Sequence, residues 1–100
     1  MVVPTRNEVL EVLKQHHEEI RALGVTRLAL FGSCARDQCM PDSDLDFVVE
    51  LEPKTFDAYM ELKLLLEDLF ERRVDLVLLD AIKPRLRSNI MRELVDVPRL

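Results

Sequence analysis

The amino-acid sequence predicts an α/β fold in which a small mixed sheet is covered on one side by helices. Segments with the apolar spacing of amphipathic helices alternate with short segments of the alternating or branched composition typical of strands. The chain has 100 residues, a length that suits one domain spanning residues 1–100. Its apolar fraction of 48% is enough for a single core, yet no apolar run approaches the ~20 residues of a membrane span.

The N-terminal segment predicts a helix followed by a strand. Thr5 and Glu8 have the spacing of a capping box, and apolar residues at helical spacing continue the helix over residues 5–23. Gly24 is expected to end it, because glycine readily adopts the left-handed conformation found at helix C-termini. The next segment, TRLALF, predicts a short strand over residues 26–31.

A turn and a second strand follow. Gly32 and Ser33 break the first strand. Residues 34–38 predict a brief helical turn, and residues 40–42 predict a loop. Residues 44–51 alternate in polarity, so one face of this strand is apolar and the other carries acids. We therefore expect the second face of the sheet to be open to solvent.

The C-terminal half predicts two helices separated by a strand. Thr55 caps a helix over residues 55–71, and the apolar, β-branched segment RVDLVLL predicts a strand over residues 73–79. Pro84 then opens a last helix over residues 84–95. The stripe predicted to be buried in the helix over 55–71 consists of Phe56, Tyr59, Leu62, Leu66 and Leu69.

Composition excludes several classes of protein. The formal charge of −5 argues against broad contact with nucleic acid or with an anionic membrane surface. Only two glycines are present, so a glycine-rich dinucleotide fingerprint cannot form, and no P-loop motif occurs. The N-terminus lacks the pattern of a signal peptide, so we expect a cytoplasmic protein whose two cysteines are reduced thiols.

Two acids in the second strand indicate a metal site. Asp44 and Asp46 are one residue apart, so both side chains lie on one face, about 6–7 Å apart along the strand. Two like charges on one face repel, whereas a divalent cation makes the pair favourable. Asp75 lies within the third predicted strand and can complete the cluster if the two strands are neighbours. Three carboxylates suit one or two Mg²⁺ ions that bridge a nucleoside triphosphate.

Roles without a metal remain open for these acids. Acids two residues apart are common on solvated strands, and Asp75 could pair with Arg72 or Arg73 at a strand end. The alternating acids from Asp42 onward also resemble the start of an EF-hand loop. That interpretation fails, because Phe47 stands where the loop needs glycine and the position that needs glutamate is a proline.

The Gly32-Ser33 turn directly follows a strand and can place backbone N–H groups and a hydroxyl against a phosphate. An ordinary turn has the same composition. Arg36 could neutralise a phosphate or be a solvated helix residue. Ser43 could cap the turn into the strand or orient Asp44.

Taken together, these residues resemble a known family. The segments LFGSCAR (residues 30–36) and PDSDLD (residues 41–46), with a later strand aspartate, resemble the GS and DxD signature of the polymerase-beta nucleotidyltransferase superfamily. The likeness is greatest to its minimal nucleotidyltransferase branch, the MntA-like antitoxins, and covers nearly the whole chain. The resemblance implies a polymerase-beta-like nucleotidyltransferase fold.

The resemblance also implies roles for individual residues. Gly32 and Ser33 would contact the nucleotide phosphates, and Asp44 and Asp46 would bind Mg²⁺. Asp75 would complete the metal site and help to activate the acceptor hydroxyl. Members of this branch are paired with HEPN-domain toxins, which are RNases, and some transfer AMP from ATP to a toxin tyrosine. These properties are expectations for the present chain.

The chain departs from the family at one informative position. The family often has glycine after Ala-Arg, whereas this chain has Asp37, an extra acid that could weaken nucleotide binding. A second hypothesis is therefore an antitoxin that blocks its toxin by contact alone, and a third is nucleotide transfer to a small molecule. Cys34 and Cys39 are assigned no role. Because the chain is short, the acceptor is expected on another protein or on a second copy of this chain.

Overall fold

The computed structural model describes residues 4–98. These residues form four helices, four strands and one 3₁₀ turn. Each predicted helix and strand is present, with ends displaced by a few residues. A short fourth strand is added at the C-terminal end. The elements are α1 (Arg6–Gln15), α2 (His17–Ala22), β1 (Val25–Phe31), β2 (Leu45–Leu51), α3 (Phe56–Phe70), β3 (Val74–Leu78), the 3₁₀ turn (Leu79–Ala81), α4 (Pro84–Glu93) and β4 (Val95–Asp96).

The strands form one mixed sheet in the order β3-β2-β1-β4. β2 is antiparallel to β1 and parallel to β3, and β4 is antiparallel to β1. β4 contributes only two residues, paired with Ala29 and Leu30, which is too short a segment for a period-two pattern to reveal. The mixed α/β architecture predicted from the sequence is thus confirmed.

The main core lies between one face of the sheet and the helices α1, α2 and α3. Strand residues pointing to this face alternate with residues that point away from it, as the pleat requires. In the first helical segment the predicted stripe is confirmed at Val9, Leu13 and Ile20, which are fully buried, whereas His16 and Leu23 of the same stripe are only partly buried. Core members contributed by the sheet and by α3 include Leu28, Leu30, Leu45, Phe47, Val49, Leu62, Leu66 and Leu76.

The second face of the sheet is partly covered. Val48 packs there in a smaller cluster with Leu79 and Ile82, and three apolar residues near the end of α4 adjoin it. The expectation that this face is open is therefore wrong for this part of the sheet. The 3₁₀ turn after β3 redirects the chain, so that α4 folds back across the face. The adjoining residues are Ile90 and Met91 of α4 and Leu94, which directly follows it.

The predicted helix over residues 5–23 is divided at His16. The backbone there leaves the helical conformation (φ −108°, ψ 18°), and His16 Nδ1 lies 2.9 Å from the Val12 carbonyl oxygen. Side-chain bonding to a helix carbonyl competes with continuation of the backbone ladder. Gly24 has a φ of +93° and separates α2 from β1, as predicted.

Phe56 is a correction to the predicted stripe of α3. Its side chain is 76% exposed, whereas Leu62 and Leu66 are fully buried. The Phe56 ring stands in the first turn of α3, near Leu51 and Leu78, which are the last residues of β2 and β3. It borders an apolar groove of about 260 Å³ between these elements, which is lined by Leu51, Lys54, Thr55, Phe56, Tyr59 and Leu78.

Over residues 4–98, the helices are too short and too polar for any of them to cross a membrane.

Candidate active site

Three predicted acids lie at the same end of the sheet. Asp46 in β2 stands opposite Asp75 in the parallel strand β3. Neighbouring strands are ~4.8 Å apart, so the two side chains emerge side by side. Each is flanked by buried core residues, and both therefore point to the face opposite the main core. Asp44, directly before β2, is two residues from Asp46 and extends the group along the same strand.

The acids influence one another electrostatically. The pKa of Asp46 is raised to about 6, first by burial and then by the negative charges of Asp75 and Asp44. The positive charge of Arg36 acts in the opposite direction. The negative charge of the three acids therefore exceeds what the Arg36 guanidinium neutralises.

Gly32 follows β1 directly and lies beside Asp46. Its φ of +77° is in the left-handed region that favours glycine. A Cβ built at this position would overlap a carboxylate oxygen of Asp46 and lie 3.2 Å from its Cγ. Only a residue without a side chain allows the backbone after β1 to approach the acid so closely.

The donor set suits a hard divalent cation. Carboxylate oxygens are the ligands of Mg²⁺, which also keeps several waters and ligand phosphates in its coordination sphere. Within residues 4–98, no three carboxylate, imidazole or thiol groups are gathered tightly enough to hold a metal ion by themselves. The acids therefore supply only part of a coordination sphere, and the predicted three-carboxylate site is not preformed.

The loop after Gly32 is closed by a disulfide between Cys34 and Cys39, which corrects the expectation of reduced thiols. The tight turn between them explains the pairing. The amides of Arg36 and Gln38 both donate to the Ser33 carbonyl, at 3.1 and 2.8 Å. This turn brings the two cysteine Cα atoms to 4.3 Å.

Ser33 and Arg36 belong to this loop, and Ser33 directly follows Gly32. The Ser33 side chain is half-buried, and its hydroxyl has no hydrogen-bond partner within residues 4–98. Arg36 forms an ion pair with Glu93 at the end of α4, with Nη1 and Oε2 3.1 Å apart. Both partners are about half exposed, and such pairs contribute at most ~1 kcal/mol. An incoming phosphate could therefore redirect the guanidinium at little cost.

Ser43 closes the turn that leads into Asp44. Its hydroxyl accepts a hydrogen bond from the Met40 amide at 3.0 Å, and its own amide donates to the Met40 carbonyl at 3.0 Å. The side chain therefore has a turn-forming partner already. A polar cavity of about 290 Å³ adjoins this turn and is lined by Pro41, Asp42, Ser43, Asp44, Arg72 and Arg73.

The backbone of Asp37 is left-handed, with a φ of 60°. Glycine adopts this conformation most readily, which explains why the family that the chain resembles often has glycine here. Its carboxylate accepts a hydrogen bond from the Arg6 amide at 3.0 Å. Arg6 is the first residue of α1, so Asp37 satisfies a free amide at the positive end of the helix dipole. This acid has a structural partner.

Arg72 and Arg73, the alternative partners of Asp75, do not pair with it in residues 4–98. Arg72 bonds to the loop over residues 39–43, and neither Arg72 nor Arg73 forms an ion pair with Asp75 in the described part of the chain. Sequence reasoning missed the loop contacts of Arg72 and the role of Glu93. No local pattern signals them, because both depend on segments that meet only in the folded chain.

The chain matches the family of nucleotidyltransferase domains over residues 7–97. It is 34% identical over 99 residues to the protein adenylyltransferase MntA of Thermococcus cleftensis, a match that covers 97% of this chain and 100% of that protein. A solved structure assigned as a minimal nucleotidyltransferase is 38% identical, with a TM-score of 0.72, and the match covers 86% of this chain and 93% of that one.

Two solved toxin–antitoxin complexes share the fold. One, determined with AMP-PNP, has a TM-score of 0.67 at 22% identity, covering 94% of this chain and 73% of that one. The other contains a tri-AMPylated HEPN toxin of Shewanella oneidensis with its MNT antitoxin. It has a TM-score of 0.62 at 20% identity, covering 88% of this chain and 71% of that one.

Proposed function

Since the chain belongs to the nucleotidyltransferase domain family, we propose that it is a Mg²⁺-dependent antitoxin that transfers AMP from ATP to a tyrosine of a HEPN-type RNase toxin. The 34% identical relative is a protein adenylyltransferase, which supports transfer to a protein. The complexes with AMP-PNP and with an AMPylated HEPN toxin support the nucleotide and the partner. We further propose that residues 1–100 act as one domain in the cytoplasm, with the acceptor on the toxin rather than on a second copy of the chain.

The observation that carries this proposal is the group of acids beside Gly32. Asp46 and Asp75 share a register position, and Asp44 is two residues away. Burial raises the pKa of Asp46, and the charges of both neighbours raise it further. Folding alone gains nothing from such repulsion. A ligand that brings positive charge turns the same arrangement into a binding site.

Each candidate site residue has a distinct role in the proposed reaction. Asp44 and Asp46 would hold Mg²⁺, which when bound neutralises charge on the triphosphate. Gly32 lets the backbone after β1 lie against Asp46, and the Ser33 hydroxyl, which has no hydrogen-bond partner within residues 4–98, can donate to a phosphate oxygen. Arg36 lies close enough to Asp46 to lower its pKa, and its guanidinium can supply further positive charge for the phosphates.

Asp75 would complete the metal site and orient the acceptor. The acceptor hydroxyl oxygen forms a bond to the α-phosphorus, the bond from that phosphorus to the bridging oxygen breaks, and pyrophosphate leaves. The carboxylate of Asp75 receives the hydroxyl proton. Positioning and charge neutralisation are the main contributions expected in this type of reaction.

Radiolabel transfer from α-labelled ATP to the partner toxin tests the proposal. We expect wild-type protein to label the toxin in the presence of Mg²⁺ and the double variant Asp44→Asn, Asp46→Asn to lose the label. The double variant Glu61→Gln, Asp68→Asn removes two acids of α3 and serves as the charge-matched control. Equal labelling by the wild type and the Asp44, Asp46 variant would show that the assignment is wrong.

The same variants separate catalysis from neutralisation by contact. If the Asp44, Asp46 double variant protects cells from the toxin as well as wild type at equal dose, contact alone is sufficient. The hydrogen bond that Asp37 accepts from the Arg6 amide supports the catalytic hypothesis, because it gives this acid a structural partner. Label that appears in a small-molecule product instead of the toxin would favour the third hypothesis.

A further inference from the structure

Arg72, in the connection between α3 and β3, holds the segment that leads into Asp44. Its Nη1 atom donates to the carbonyl oxygens of Met40 and Ser43, at 3.3 and 3.1 Å, and lies 3.3 Å from Cys39 Sγ. One guanidinium nitrogen thus contacts three residues of a loop that is far away in sequence. The contact with the Ser43 carbonyl is to the residue directly before Asp44.

The segment around Arg72 also determines how β3 meets β2. The Leu45 amide donates to the Arg73 carbonyl at 3.0 Å, and the Val74 amide donates to Glu67 Oε2 at 3.2 Å. These bonds lie at the start of the parallel pairing that places Asp46 opposite Asp75. The Arg72 side chain therefore holds the loop before Asp44, and the Arg73 backbone holds β3 beside β2.

The Arg72 guanidinium is held in an orientation that its own hydrogen bonds do not fully satisfy. Its Nε atom is buried without a partner, and no other buried side-chain nitrogen or oxygen in residues 4–98 shares this condition. An unpaired buried donor is unfavourable, so the contacts from Nη1 must be strong enough to retain it. The planar fork of arginine can reach several acceptors together, which a lysine ammonium cannot reproduce.

We propose that Arg72 is a positioning residue for nucleotidyl transfer, which holds residues 39–43 so that Asp44 and Asp46 present their carboxylates beside Asp75. The inference rests on the proposed function, because it concerns the same group of acids. Arg72 itself touches the loop and not the reacting atoms. Residues that orient metal ligands without binding the metal typically affect metal affinity or activity by about 10- to 100-fold when they are replaced.

The test compares Arg72→Gln and Arg72→Lys with Arg73→Gln. Arg73 lines the same cavity and carries the same charge, but its side chain forms no hydrogen bond within the described residues. Mn²⁺ affinity of the isolated protein is measured by electron paramagnetic resonance. Amide hydrogen exchange at Met40, Ser43 and Val48 reports on the loop and on β2. Labelling of the toxin provides kcat and the Mg²⁺ concentration for half-maximal rate.

We expect Arg72→Gln to weaken Mn²⁺ binding and to raise the Mg²⁺ requirement by roughly tenfold or more. Exchange should increase at Met40 and Ser43 but not at Val48, which shows that the fold is retained. Arg72→Lys should recover only part of the loss, and Arg73→Gln should resemble wild type.

Equal effects of Arg72→Gln and Arg73→Gln on Mn²⁺ affinity would overturn the proposal, because charge rather than bonding would then be responsible. Unchanged exchange at Met40 and Ser43 in Arg72→Gln would also overturn it. Should wild-type protein label no toxin, the proposed function fails. The exchange and Mn²⁺ measurements still decide whether Arg72 holds the loop and the acids.

Discussion

Two adjacent residues in space, Gly32 and Asp46, show how a single atom can decide the geometry of the site. The missing Cβ of Gly32 leaves the space that the Asp46 carboxylate occupies. The left-handed backbone at Gly32 then turns the chain into the loop that carries Ser33. One glycine at this point is therefore enough to bring the backbone after β1 against the Asp46 carboxylate.

Gly32→Ala is expected to reduce both stability and nucleotidyl transfer. Left-handed backbone costs an alanine roughly 1–2 kcal/mol, and the new methyl group displaces the Asp46 carboxylate. Gly24→Ala is the matched control, because Gly24 also has positive φ and lies close to the Glu52 backbone, away from the acids.

Both alanine variants should unfold at lower temperature than wild type. Assayed below their unfolding transitions, only Gly32→Ala should lose most of its toxin labelling. Similar labelling by the two variants would show that the approach of Gly32 to Asp46 is unimportant for the reaction.

Asp46→Asn is expected to stabilise the metal-free protein at pH 8. The pKa of Asp46 in the folded chain, about 6, lies above its ordinary value of 3.8. The folded state therefore binds more protons between these pH values, and the contribution of this group to stability falls as the pH rises through that window. Removing the charge should recover about 1 kcal/mol, since the group is only partly buried and solvent screens it.

Thermal unfolding of the two proteins at pH 4 and pH 8 measures this effect. Asp46→Asn should have the higher Tm at pH 8 and little advantage at pH 4, where wild-type Asp46 is protonated. Glu61→Gln, which neutralises an exposed carboxylate on α3, should show no such pH-dependent gain. An equal gain for Asp46→Asn at both pH values would contradict the assigned pKa.

At the scale of elements, α3 shows how a helical stripe and a buried surface can differ in length. The stripe runs over the whole helix, but the sheet supports only the part that lies above it. Leu62 and Leu66 are buried there, and the Tyr59 hydroxyl donates to the Leu76 carbonyl at 2.6 Å. Phe56, one turn earlier, borders the groove at the last residues of β2 and β3 and is mostly exposed.

Truncation to alanine should separate these two parts of α3. Leu62→Ala is expected to destabilise the protein by about 2–5 kcal/mol, because it removes fully buried volume. Phe56→Ala should change the free energy of unfolding by no more than about 0.5 kcal/mol, since its side chain is mostly in solvent. Urea denaturation measures both values, and a loss above about 2 kcal/mol for Phe56→Ala would show that this ring is buried in solution.

At the scale of the whole molecule, topology assembles the candidate site. The parallel pairing of β2 with β3 requires a crossover, which α3 provides, and this brings Asp75 next to Asp46. The antiparallel pairing of β1 with β2 places Phe31 opposite Asp46 and so delivers Gly32 to the same end. An overall charge of −5 is then compatible with a nucleotide ligand, because the acids can recruit a cation.

The sequence by itself determined the α/β class and most of the helices and strands, because these follow from local periodicity and capping. It also nominated the candidate site residues through motifs that resemble those of the family. Tertiary structure alone decided what depends on distant segments meeting. The break at His16 and the pairing of Cys34 with Cys39 arise from local contacts that apolar periodicity does not signal. Contacts between distant segments decided the two-residue strand β4 and the exposure of Phe56. The partner of Asp37 and the loop contacts of Arg72 belong to the same class. Local pattern reports which face of an element is apolar, whereas only packing determines what lies against that face.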